Sequence, residues 1–182
     1  FVKGTKGNED ILIAISNGKV VRFKEDTLRP LSRTAIGVKG ANIDGGEVIG
    51  MATSEEGNKV LTVTENGYGR RSELEQYRIQ NRGGYGLQNY KVDAERGMVC
   101  GIKVVDETDD ILLISTDGIV IRVYCADIRL MGRTAKGVRI MRVTDENQVV
   151  AFSRTEHDET EACSQIEETA EDAVETAPED PT

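Results

Sequence analysis

The chain has 182 residues, 38% hydrophobic, 30% charged and 4% aromatic, with 19 Gly, 3 Pro, no Trp and a formal charge of −9. It holds no run of about 18 apolar residues, and no basic segment precedes an apolar one, which argues against a helical membrane span and a secretory signal. The charge is uneven: residues 1–155 carry +2, whereas residues 156–182 carry −11 and hold no Lys or Arg.

Taken in chain order, Val2, preceded by Phe1, stands nine residues ahead of a β-rich run, as Met51 and Ile102 do before two later ones. Residues 1–10 are therefore expected to be the remnant of a preceding unit and a linker, and the chain a piece of a longer polypeptide. Ile11 to Phe23 reads as two strands joined by Asn17-Gly18, a strong short-range hairpin signal. The pattern returns at Val60 to Arg71 with Asn66-Gly67 and at Ile111 to Val123 with Asp117-Gly118, giving glycine separations of 49 and 51 residues.

A second feature keeps that period: Arg33-Thr34-Ala35-Ile36-Gly37-Val38, Arg82-Gly83-Gly84-Tyr85-Gly86-Leu87 and Arg133-Thr134-Ala135-Lys136-Gly137-Val138. Each leads into an expected third strand, Val38 to Ile43, Leu87 to Val92 and Val138 to Val143, and then a fourth such as Glu47 to Met51 or Met98 to Val105. A four-stranded repeat of about fifty residues predicts an all-β, propeller-like array whose sheets bury one another's faces. The expected units are residues 11–51, 52–105 and 106–154. Ser72 to Gln80 is the only polar helical candidate in the body. Residues 155–182 are too acidic and too poor in large apolar side chains to build a core and are expected to be a disordered tail.

Catalytic chemistry finds little support. His157 is the only histidine and falls in the acidic segment, so a nucleophile has no ordered imidazole base. Cys100, Cys125 and Cys163 are far apart and form no CxxC pair, which argues against a zinc site or a disulfide framework and fits a reducing, cytoplasmic setting. Paired acids such as Asp109-Asp110 and Glu55-Glu56 lie in turns, where solvated charge is the ordinary explanation.

The glycine-rich loop at Arg82 to Gly86 admits two readings. Gly83 and Gly84 could let successive amides form an anion nest beside Arg82, or the loop could be a tight turn at a sheet corner. Repetition favours a ligand: Arg33, Arg82 and Arg133 occupy one position in three units. Arg29 and Lys39, then Arg70, Arg71, Arg78 and Lys91, then Arg129, Lys136, Arg139 and Arg142 gather beside them. On one rim they would make a curved positive band suited to duplex DNA, read through its phosphates and bendability rather than its base edges. On scattered faces they would suit a protein-interaction scaffold.

The segments Arg29 to Val38, Tyr77 to Gly86 and Gly132 to Arg139 closely resemble the C-terminal domain of the bacterial DNA gyrase A subunit. The resemblance covers residues 1 to about 154. It implies a β-pinwheel of four-stranded blades that exchange strands with their neighbours, of which this chain would hold the last three, with duplex DNA wrapped on the basic outer rim. Gln80-Asn81-Arg82-Gly83-Gly84-Tyr85-Gly86 resembles the family's Gln-Arg-Arg-Gly-Gly-Lys-Gly box, with Asn81 and Tyr85 in place of two basic residues; a complete box would lie upstream. The resemblance further implies a parent type IIA topoisomerase that introduces negative supercoils. Its catalytic residues would lie elsewhere in the A subunit, and ATP and magnesium would be bound by the B subunit, leaving no catalytic site, metal or cofactor here. The topoisomerase IV A subunit is the nearest alternative. The acidic tail would either compete with DNA for the rim or keep the terminus soluble.

Overall fold

All three glycine hairpins form in the structure, a computed structural model that describes residues 1–144 and 146–157. They are β1 (Asp10–Ile15) with β2 (Lys19–Lys24), β4 (Lys59–Thr64) with β5 (Tyr68–Glu73), and β8 (Asp109–Ser115) with β9 (Val120–Tyr124). Registers such as Ile11 opposite Phe23, Leu61 opposite Arg71 and Leu113 opposite Ile121 follow from the turns. Each first strand also pairs on its other side with the strand that ends its unit: β3 (Val48–Thr53), β7 (Val99–Val105) and β11 (Val149–Glu156).

The outer edge is built differently. The short strand β6 (Leu87–Gln88) joins β2 of the unit before it, and β10 (Val138–Arg139) joins β5 of the unit before it. The sheet orders are thus β3-β1-β2-β6, β10-β5-β4-β7 and β11-β8-β9. Hairpin glycines receive the incoming arm. Gly18, at φ 83°, accepts the amides of Asn89 and Tyr90 on its carbonyl, and a Cβ there would lie 2.0 Å from Tyr90 O. Gly67 repeats this with Ile140 and Met141, a Cβ there meeting Met141 O at 2.1 Å. Only glycine meets both the positive φ and the close approach. Gly118, the third copy, has open space around it, and Ile119 and Val120 are exposed.

Sheets pack through β3, β7 and β11, and apolar clusters fill the spaces between them. Leu12, Ala14, Val60, Ile102 and Val104 lie between the first and second sheets; Leu61, Val63, Ile111, Leu113 and Phe152 lie between the second and third. One arginine ties each unit to the next. Arg22 donates to Leu74 O at 2.7 Å and Tyr77 O at 3.0 Å, and Arg71 donates to Ile128 O at 2.7 Å and Ala126 O at 3.1 Å.

Some expectations change. Val38 to Ile43 forms no strand, because no earlier sheet is present among the described residues to receive it, and Leu87 to Val92 is strand only at Leu87–Gln88. The helical candidate at Ser72 to Gln80 is the end of β5 followed by a single 3-10 turn at Leu74–Gln76. The last strand runs through Glu156, past the expected start of the tail. His157 Nδ1 then lies 2.8 Å from Asp110 Oδ1, with its ring stacked on Tyr124 at 4.0 Å between centroids. The expectation of disorder for residues 158–182 lies outside the described residues.

Candidate nucleic-acid interface

The second and third Arg-small-small-x-Gly segments lie at the outer edges of the sheets, opposite the strands that pack at the centre, and the first, Arg33 to Val38, enters no sheet among the described residues. Gly86 and Gly137 have φ of 77° and 78°, and a Cβ at either would sit 2.7 Å from a carbonyl of the preceding unit's outer strand, at Val20 and Gly69 respectively. The final glycine of the motif therefore serves to dock the arm. That frees the residues before it to project from the edge.

The loops meet one another. Gly83 donates its amide to Gly40 O at 2.6 Å, Gly84 O accepts from Asn42 N at 2.8 Å, and Arg82 Nη1 donates to Lys39 O at 3.3 Å, joining the first loop to the second. Arg133 donates through Nη1 to Gln88 O, and its backbone amide to Gln76 Oε1 at 2.7 Å, joining the third loop to the second. Arg129 O accepts from Arg71 N at 3.2 Å. The basic loops thus form one continuous outer track.

Along it Arg29, Arg33, Lys39, Arg78, Arg82, Lys91, Arg129, Lys136, Arg139 and Arg142 are exposed, and Arg133 is half-buried. Arg139 is held against the Tyr68 ring, its guanidinium 5.0 Å from the centroid and its Nη2 2.7 Å from the hydroxyl, a contact that pushes its pKa further up. Lys19 lies 5.7 Å from the Tyr85 ring centroid, so aromatic faces interleave with cations at the edge.

Four expected contacts do not belong to this surface. Arg70 and Arg71 are 0% and 4% exposed, with their donors turned to protein carbonyls, and no phosphate can reach them. Gly83 and Gly84 do not make an anion nest, because the Gly83 amide and the Gly84 carbonyl are used to join two arms. Superimposing the repeats carries the missed signal: Arg70 aligns with Val21 and Ile121, both apolar, and so falls at an inward position.

Among the described residues no three His, Cys, Asp or Glu side chains cluster so as to hold a metal, and no helix is long and apolar enough to cross a membrane. Burial pushes the Cys100 and Cys125 thiols up to about 12, which suppresses thiolate chemistry at neutral pH.

Comparison with known proteins gives a consistent picture. The sequence model described as DNA gyrase C-terminal domain, beta-propeller, matches residues 9–55, 58–106 and 109–156. The DNA gyrase A subunit of Staphylococcus aureus strain MRSA252 is 42% identical over 163 residues, covering 88% of this chain and 18% of that protein. Its counterpart from strain NCTC 8325 is 40% identical over 170 residues, covering 92% of this chain and 19% of its own length. The chain thus spans less than a fifth of these relatives. A solved DNA gyrase A C-terminal domain matches with a TM-score of 0.75 and 25% identity, over 82% of this chain and 52% of the other. A topoisomerase IV C-terminal domain matches with a TM-score of 0.77 at 22% identity, over 91% and 53%, which establishes a shared fold.

Proposed function

The chain belongs to the DNA gyrase A C-terminal β-propeller family, and from that premise we propose that it binds duplex DNA along its outer track and bends it, as the wrapping part of a gyrase A subunit. The observation that carries this reading is the set of exposed basic side chains on three repeat-related loops that are hydrogen-bonded to one another, two of them on arms docked to a sheet edge. Arg33, Arg82 and Lys136 meet phosphates of the duplex, one from each unit, while Arg29, Lys39, Arg78, Lys91, Arg129, Arg139 and Arg142 widen the track. Duplex phosphates supply regularly spaced anions, and curvature offsets the bending cost by adding contacts. Among the described residues no α-helix is present to enter a groove and read base edges, so affinity depends weakly on sequence.

The gyrase reading is preferred to topoisomerase IV because identity to gyrase A subunits reaches 40–42% over most of the chain. In the cytoplasmic assembly that follows, the B subunit and the rest of the A subunit supply ATP hydrolysis and strand passage. The wrap biases the sign of the DNA crossing that strand passage then converts into negative supercoiling.

The test is the affinity of the full chain for a roughly 40-base-pair duplex across a salt series, where roughly 4 to 8 released counterions are expected. Arg82→Ala and Lys136→Ala should each lower the salt slope by about one and weaken different sequences alike. A folded chain with no affinity at low salt would overturn the reading in favour of a protein-interaction scaffold.

A further inference from the structure

Arg70 is fully buried on β5, and no ion pair of its guanidinium occurs among the described residues. Its acceptors are all neutral: Ala135 O at 3.0 Å from Nε, Asn89 Oδ1 at 3.2 Å from Nη2, and Ser72 Oγ, Asn89 O and Arg133 O. The Tyr90 ring lies 5.5 Å from the guanidinium, and the Tyr90 hydroxyl donates to Lys136 O. A buried guanidinium is costly unless its donors are satisfied, and here two of its acceptors belong to the third basic loop.

The fold alone does not call for this arginine. At the same repeat position the first unit has Val21, buried in an apolar cluster with Ile11 and Phe23, and the third has Ile121, packed against Leu113. Either sheet forms with an aliphatic side chain there. What Arg70 adds is a hold on the loop: the carbonyls of Arg133 and Ala135 point inward to it, and that of Lys136 points inward to Tyr90. In a planar trans peptide the N–H points opposite to the C=O, so the amides of Thr134, Lys136 and Gly137 face away from the core. They face out beside the exposed Lys136 side chain, with Arg133 half-buried next to it.

We propose that Arg70 is a positioning residue that turns the loop from Arg133 to Gly137 into a phosphate-binding loop, by drawing its carbonyls inward and presenting its amides and Lys136 to the DNA backbone. This rests on the DNA-binding reading and specifies how one loop of the track acts. It separates two roles that arginines share in this chain: those on the surface meet phosphate, and this one, out of reach of any phosphate, shapes a loop that does.

The test uses the full chain with Arg70→Met and Arg70→Lys, both checked by circular dichroism and thermal melting. Without DNA, Arg70→Met should speed amide exchange at Arg133 and Ala135, whose amides donate to Gln76 Oε1 and Gly132 O, while leaving Ala35, which donates to Ser32 O, unchanged. With a roughly 40-base-pair duplex it should weaken binding on the order of tenfold and lower the salt slope by about 1 to 2, although Arg70 touches no phosphate. Adding Arg70→Met to Arg133→Ala/Lys136→Ala should cost little more, because the three act as one unit. Wild-type exchange in a folded Arg70→Met chain, or additive losses in the cycle, would overturn the proposal. If Arg70→Met does not fold, Arg70→Lys decides: its single ammonium cannot span the acceptors, so wild-type exchange and affinity in that variant would overturn the proposal, and intermediate values support it. A wild-type chain that binds no DNA would remove the functional reading, and loop exchange would still decide the positioning role.

Discussion

The middle sheet and its two neighbours share one repeat and bury opposite chemistry. In the first unit Ile13, Val21, Phe23 and Leu28 form an apolar cluster, and in the third Leu113, Ile121, Val123 and Ile128 do the same. At those positions the middle unit has Thr62, Arg70, Ser72 and Tyr77, each buried, with Asn89 among them. Thr62 Oγ1 accepts from Asn89 Nδ2 at 3.0 Å, and the Tyr77 hydroxyl donates to Asn89 Oδ1 at 2.6 Å. One backbone thus tolerates two kinds of interior, provided the polar version is satisfied group by group. Aliphatic packing serves stability in the flanking units, whereas the polar set in the middle fixes where two arms lie.

The sharpest break in this contrast comes from cutting each interior once. Leu113→Ala should cost about 2–5 kcal/mol by urea unfolding, since the site is fully buried and cannot collapse without moving both sheets. Asn89→Ala should cost about 1–3 kcal/mol by the same measurement, because it strands Tyr77 and Thr62 rather than opening a large cavity. Tyr77→Phe removes a single hydrogen bond and should cost about 1 kcal/mol, leaving the ring's packing intact. If all three losses were equal, the two interiors would not differ in the way their contacts indicate.

Alkali sharpens the comparison further. Burial pushes Tyr90 and both described cysteines up to about 12, so the folded state holds their protonated forms. Their stabilising contribution is complete below the ordinary pKa of each group and is lost as pH rises from about 9 toward 12. Stability should therefore fall in that window, and Tyr90→Phe should flatten the part above about pH 10. In a Cys163→Ser background, thiol labelling at about pH 8 should be slow until denaturant is added. The smallest effect belongs to His157→Ala, about 0–1 kcal/mol, because the pair with Asp110 lies at the end of one edge strand.

Much of the architecture is legible in the sequence because it is local. Asn17-Gly18, Asn66-Gly67 and Asp117-Gly118 announce hairpins through turn chemistry, and alternating aliphatic residues mark their strands. What the arms do is not local. The reason Gly86 and Gly137 recur is a carbonyl of another unit that their own segment does not contain. Sequence reasoning misplaces Arg70 and Arg71 for the same reason. In Tyr68-Gly69-Arg70-Arg71-Ser72-Glu73 no apolar alternation reveals which face is inward, and carbonyls that both guanidinium groups donate to, those of Ala135 and Ile128, lie more than fifty residues later. Val38 to Ile43 shows the converse: a strand-like sequence forms no strand, and its Asn42 amide instead donates to Gly84 O of the next loop.

Exchange of the outer strands also sets a clock during synthesis. Strand β2 ends at Lys24 and its outer partner β6 begins at Leu87, so 62 residues must be added before that edge can be closed. At bacterial elongation speeds the delay is about 3 to 12 s, far longer than a hairpin needs to form. The first two hairpins therefore leave the ribosome with an edge open, and each closes only when its successor arrives. The nascent domain always carries one raw edge, which moves along the chain as translation proceeds and makes its maturation vectorial from the first unit to the last.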